Sequence, residues 1–254
     1  RAGRAGVRGG RALNRSLALA FFVLAWLASL AVLAPMRWLG ELDLWRNAGL
    51  SASGASGTIW NGRLLGLDAG SQPLGDVDAA LSAASLLTGT VAIEFATDGS
   101  RGKLLLGRER GLRAVSGEWP LVVPTPGGPL QWALSLDAVS AVVRGGTCAE
   151  AAGGLEAVLT LPAAGSTTPP LVLSGTPVCR EGVVEASLMP APGSPAVELL
   201  VQIRADGQYR LVWLARDPDP GLRAALDAAG FIAGADGLSR VDEGSLAGAV
   251  AAQR

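Results

Sequence analysis

The sequence predicts a mainly β chain: a single N-terminal transmembrane helix followed by a twisted, largely antiparallel β-sheet domain with one short C-terminal helix. Three observations predict it. One run, Ser16 to Met36 (SLALAFFVLAWLASLAVLAPM), extends for 21 residues without a charged side chain. Beyond it, short segments alternate apolar and polar residues with period two, the mark of strands with one buried face. Thirty-five glycines and 15 prolines lie scattered as punctuation between apolar runs, in the manner of an all-β chain with many turns.

At 1.5 Å per residue the uncharged run is long enough, as a helix, to cross the roughly 30 Å hydrocarbon core of a bilayer. A helix of Leu, Ala, Phe and Val also satisfies its own backbone hydrogen bonds there. Arg1, Arg4, Arg8, Arg11 and Arg15 precede it with no acidic residue among them, whereas Arg37, Glu41 and Asp43 follow it. The positive-inside bias therefore places the short tail in the cytoplasm and the rest outside. A cleaved secretory signal is the competing reading, with Ser29 and Ala31 as small residues before a cut. Its apolar region should be shorter, without Trp26 in the middle or Trp38 and Trp45 just past the end. Both readings put residues 37–254 in the same compartment.

Composition removes several function classes. Of the 21 basic residues five lie in the first fifteen, and all 22 acidic residues lie beyond residue 36, so that part carries 16 basic residues and a formal charge of −6. Such a surface suits neither nucleic acid nor anionic headgroups, which ask for a basic patch. Histidine is absent. That removes the commonest general base and metal ligand, together with any Ser/His/Asp or Cys/His system. Two cysteines cannot build a four-thiolate zinc site. Carboxylate-only catalysis needs a pair of acids that stands out, and none does. No catalytic residue, cofactor or metal site is expected, and the chain reads as a binding protein.

In chain order, Ser82 to Leu87 reads as a single helical turn. Gly89 to Ala96 (GTVAIEFA) follows as a strand, with Val91, Ile93 and Phe95 on one face and Thr90, Ala92 and Glu94 on the other. Asp98-Gly99 is a hairpin tip before the run Lys103 to Leu106. Leu130, Trp132, Leu134 and Leu136 alternate with Gln131, Ala133, Ser135 and Asp137, and Leu155, Ala157, Leu159 and Leu161 repeat the pattern. Val197 to Ile203, the turn Asp206-Gly207 and Tyr209 to Trp213 make the clearest hairpin. Val123 to Pro129, Ser166 to Pro170 and Pro190 to Pro195 are connectors, since proline cannot donate to a ladder. A helix is expected from Pro220 to Ala229, with Asp219 as N-cap, Pro220 at its first position, Leu222, Leu226 and Ala229 on one face, and Gly230 as the stop.

A Gly-led strand start recurs at Gly57-Thr58-Ile59-Trp60, Gly89-Thr90-Val91, Gly146-Thr147-Cys148 and Gly175-Thr176-Pro177. The intervals of 32, 57 and 29 residues are too irregular for a solenoid and fit successive hairpins of one antiparallel sheet. Cys148 and Cys179 form an even pair in an oxidising compartment and read as a disulfide between neighbouring strands or loops, with two free buried thiols as the alternative. Closing a loop of roughly 30 residues would stabilise the fold by about 3–4 kcal/mol.

The segment Ser56 to Leu67 (SGTIWNGRLLGL) carries a G-T-aliphatic-W-x-G motif. Placed shortly after a single membrane anchor, it resembles the N protein of the bacterial type II secretion system, also called general secretion pathway protein N. The segment Ser85 to Phe95 (SLLTGTVAIEF), the two widely spaced cysteines and a terminal Gly244-Ser245-Leu246 element agree with that family. The resemblance implies an inner-membrane protein with residues 1–15 as a basic cytoplasmic tail, 16–36 as the anchor and 37–254 as a periplasmic β-rich domain. Implied partners are the inner-membrane protein C of the same system and the outer-membrane secretin, and no catalytic residue is carried over. Within the motif, Trp60 and Gly62 are expected on one face of a strand and Arg63 on the other. Gly57, Trp60, Gly62 and Arg63 then form a folding motif or a partner-docking site. The alternative is an AsmA-like envelope protein that binds or carries lipid in an apolar β-groove.

Overall fold

The computed structural model describes residues 10–37, 50–69, 72–123, 130–160 and 170–245. One helix, α1 (Gly10–Val32), precedes a sheet of 15 strands. The first eight strands are β1 (Leu50–Thr58), β2 (Asn61–Ala69), β3 (Gln72–Leu81), β4 (Thr90–Ala96), β5 (Ser100–Gly107), β6 (Glu109–Val123), β7 (Leu130–Arg144) and β8 (Thr147–Thr160). The remainder are β9 (Leu171–Gly175), β10 (Pro177–Arg180), β11 (Val183–Pro190), β12 (Val197–Ile203), β13 (Gln208–Ala215), β14 (Ile232–Gly234) and β15 (Gly237–Ser245). A short helix, α2 (Ala83–Leu86), joins β3 to β4, and α3 (Pro220–Ala228) follows β13.

The topology is a meander. Each strand from β1 to β9 pairs antiparallel with its predecessor, and β11, β12, β13, β15 and β14 continue the order. β11 is shared, since Met189 and Pro190 pair with β9 while Val183 to Ala186 pair with β10. β9 and β10 are thus one strand interrupted at Thr176. Consecutive turns alternate between two ends of the sheet, so the turn at 59–60, α2, Arg108 and Gly145-Gly146 share one end. Asp98-Gly99 and α3 belong to the other. An open sheet of this many strands coils, because each strand is rotated by roughly 20–25° from the last.

Of three apolar clusters among the described residues, the smallest, Ala92, Leu105 and Val142, lies on the convex face and the other two fill the concave face. Met36, Leu64, Leu67, Val77, Ala79 and Ile93 form the first, over β2 to β4. The second, larger core joins β8, β9, β11, β12, β13 and β15 to the buried face of α3, Leu222 and Leu226, with Trp213 5.0 Å from Trp132 in an edge-on contact. The convex face is laced by exposed or half-exposed ion pairs, among them Lys103 with Glu94 and Arg63 with Asp76. Such pairs contribute at most about 1 kcal/mol each.

The strands expected from alternation are present, but several are longer. β7 runs on to Arg144 and β8 begins at Thr147, because bulges in both restart the alternation out of phase. Leu161, Leu246, the connector 124–129 and residues 166–169 lie outside the described residues. α3 is capped as expected, with Asp219 Oδ1 accepting from the Leu222 amide at 2.9 Å and Gly230 at φ +90° after its end. The Gly-led start holds at Gly89 and Gly146 and fails at the other two positions. Gly57 and Gly175 close strands, since each sits where a bulge or turn takes the chain out of its ladder.

α1 occupies most of the stretch expected as an anchor, with Phe21, Phe22, Leu24 and Trp26 exposed on it. Among the described residues no helix is long and apolar enough to cross a membrane. The end of the run also departs from expectation. Pro35 cannot extend the helix and pairs with Thr58, and Met36 is 1% exposed in the first core. Residues 34–36 therefore belong to the sheet domain.

Candidate functional site

The motif residues converge on the β1–β2 hairpin. Trp60 is not on a strand with Gly62: Ile59 and Trp60 form the two-residue connection between β1 and β2, and Gly57 pairs across it with Gly62. This turn receives the chain as it leaves α1. The Met36 amide donates to Gly57 O at 3.0 Å, and the Ile59 amide donates to Ala34 O at 3.0 Å. Gly62 is the floor of the socket, because a Cβ there would lie 2.7 Å from both Met36 Cγ and Thr58 O. What approaches Gly62 is thus the Met36 side chain, not its own strand's indole. Arg63 projects from the opposite face to Asp76 Oδ2 at 3.3 Å. Sequence reasoning missed Pro35 and Met36, although a proline ending an apolar helix signals that the next residue must find other company.

On the concave side an apolar cleft of about 570 Å³ runs from β2 to β7. Leu67, Val77, Phe95, Leu104, Trp119 and Leu134 are among the residues that line it, and Glu118 is the single ionisable one. That volume falls in the range of small-molecule pockets. The apolar face of β4 and the Leu104 to Leu106 run announced part of this lining. The β6 contribution was hidden, because its alternation is broken twice.

Both outer strands present edges. β1 is nine residues of small polar and apolar type, LSASGASGT, with no charge and no proline. Among the described residues, its outer edge is engaged only near Thr58, by residues 34–36. Free edges lacking charge or proline are templates for a further strand. β14 is the opposite edge, three residues long and exposed throughout.

Cys148 and Cys179 are bonded, with Cα atoms 5.6 Å apart, and clamp β8 to β10. The Cys148 amide also donates to Gly182 O at 2.7 Å. The titration of Glu109 is displaced. Hydrogen bonds from the Arg144 guanidinium hold its carboxyl below the ordinary value of 4.5, against a weaker opposing effect of burial, and the Arg144 and Arg113 charges assist. Four side chains thereby close a cross-strand network, since Arg113 also reaches Glu150 at 3.0 Å. No cluster of three or more Cys, Asp or Glu residues that could hold a metal ion occurs among the described residues.

The described residues thus form an antiparallel meander with an apolar cleft on one face and a socket for the segment after α1. Residues 48–241 match the family model described as type II secretion system (T2SS), protein N, and the chain belongs to that family. The family is a structural component of the secretion system and not a known enzyme, and membership implies association with other components of that system. No curated protein matches the chain, and no solved structure matches it.

Proposed function

We propose that the chain is an inner-membrane-anchored periplasmic subunit of the type II secretion machine, which supports export of folded proteins across the outer membrane through protein–protein contacts. The family match over 48–241 carries this reading. Its anchor is α1, whose exposed Leu, Phe and Trp side chains need an apolar surrounding that water does not provide. The tail 1–15 is cytoplasmic and the sheet periplasmic, where the Cys148–Cys179 bond is sustained. The docking element is the β1 edge, which can extend the sheet by main-chain hydrogen bonds with little demand on side chains. Gly57 and Gly62 seat that edge against residues 34–36, and Trp60 and Arg63 complete the docking motif beside it. Partners expected at it are the inner-membrane protein C and the outer-membrane secretin.

The test is photo-crosslinking in cells from Ser51 on the β1 edge of the full-length protein, with Gly99, in the β4–β5 turn away from that edge, as control. Recovery of the secretin or protein C from position 51 and not from 99 supports the reading. Capture of lipid alone overturns it. The apolar cleft favours a second reading, an AsmA-like lipid cradle, and mass spectrometry of the purified protein for bound phospholipid separates the two.

A further inference from the structure

The turn between β3 and β4 presents two leucines to the outside, Leu86 at 42% and Leu87 at 91% exposure. It is not a loose loop. Ser85 Oγ donates to Ser82 O at 2.7 Å and accepts from the Ala92 amide at 3.0 Å, and Thr88 Oγ1 donates to Ser85 O at 2.7 Å. Two hydroxyl side chains are thus spent on holding a turn whose two largest apolar groups face away from the protein. Two adjacent aliphatic groups on a built turn that continues the end of an apolar helix suit an apolar occupant.

Backbone hydrogen bonds say where that turn sits. The Ile59 amide donates to Ala34 O at 3.0 Å, two residues past the end of α1, and the Leu81 amide donates to Ile59 O at 2.9 Å. Ser82, the N-cap of α2, comes next. The leucine turn therefore lies two strands from the exit of α1, a lateral distance of roughly 10 Å at the usual strand spacing. From Thr58 to Gly62 and from Leu81 to Ile93 the sequence carries no charge. The next turn at this end brings Arg108, whose side chain has no ion-pair partner among the described residues and whose amide reaches Gly89 O at 3.4 Å. The overall charge of −6 beyond residue 36 conceals this local order of apolar turn, then arginine.

We infer that this end of the sheet is a lipid-contacting rim: Leu86 and Leu87 enter the leaflet from which α1 emerges, with Trp60 at headgroup depth and Arg108 beside the phosphates. The inference rests on the anchored reading above. The occupant is the bilayer and not a protein, because the patch is continuous through two backbone hydrogen bonds, Ile59 to Ala34 and Leu81 to Ile59, with the end of the apolar helix. Insertion of one turn by about 5–10 Å is the depth at which interfacial apolar groups lie. Twist carries the rims of β12 and β13 away from the same plane.

The experiment uses the full-length protein in vesicles of phosphatidylethanolamine and phosphatidylglycerol, some carrying a spin label high on the acyl chain. An environment-sensitive fluorophore is attached in turn to Leu87→Cys, Phe22→Cys and Gly99→Cys, the native cysteines being bonded to each other. Expected is an about two-fold loss of emission at 87 and at 22, with none at 99. Quenching at 22 with none at 87 overturns the rim and leaves the anchor standing, which is also the result if a partner protein covers the leucines. No quenching at 22 overturns the anchor, and the rim with it.

Discussion

Gly62 marks the point where the sheet and the segment after α1 are fitted together. Ala in its place brings a Cβ to 2.7 Å from Thr58 O, a backbone atom that cannot swing aside, and from Met36 Cγ, which can. Gly62→Ala should therefore destabilise the sheet by about 1–3 kcal/mol, read from denaturant midpoints. Combined with Met36→Ala it should cost less than the sum of the two single changes, because one of the two clashes is then removed. Glu109 gives a second prediction at this scale. Its folded titration lies below 4.5, so the unfolded chain binds the proton more readily. The stability it contributes is present above that pH and is lost as the pH falls through the lowered folded value. Glu109→Gln should flatten this acid loss, seen by comparing unfolding midpoints at neutral pH and just below pH 4.5.

At the scale of elements, β6 and β7 carry facing bulges. Ala114 and Ala138 both take φ +50°, and each has its amide satisfied by a serine of the other strand: Ala114 donates to Ser140 Oγ and Ala138 to Ser116 Oγ, both at 3.0 Å. Ser140 is 5% exposed, so Ser140→Ala should remove the acceptor of the Ala114 amide and cost about 1 kcal/mol in thermal or denaturant unfolding. These bulges also explain what could be read beforehand. β4, β12 and β13 were legible from alternation because their ladders run without a register shift. β6 was not, since its shifts between Leu112 and Val115 and between Val115 and Gly117 exchange inward and outward faces mid-strand. β1 gave no signal for a different reason: an edge of serine, alanine and glycine has no apolar face to alternate. The motif hairpin was visible by its residues, yet its role as a socket depends on Met36, whose contact with Gly62 no local pattern contains.

For the whole molecule, residues 34–36 decide where the folded domain begins. A chain started at Ala34 keeps Met36 in the first core, whereas one started at Trp38 leaves a hole bounded by Leu64, Val77 and Ile93. The shorter chain should be less stable by about 2–5 kcal/mol, the range for removing a large buried side chain, in chemical denaturation of the two proteins side by side. The cleft on the concave side lies between this core and the larger one around α3, so loosening the first core should also widen the cleft.

The unbroken meander has a consequence for how the protein is made. Each strand up to β9 needs only the strand before it, so pairing is local in sequence and carries a small loop-closure cost. A chain delivered N-terminus first can lay down its sheet in the order in which it arrives, starting from the hairpin seated on Met36. The newest strand is always the growing edge, and it is covered as soon as the next one emerges. Oxidation of Cys148 with Cys179 becomes possible once β10 has been delivered, which sets a covalent milestone past the middle of synthesis, before α3 arrives to close the second core.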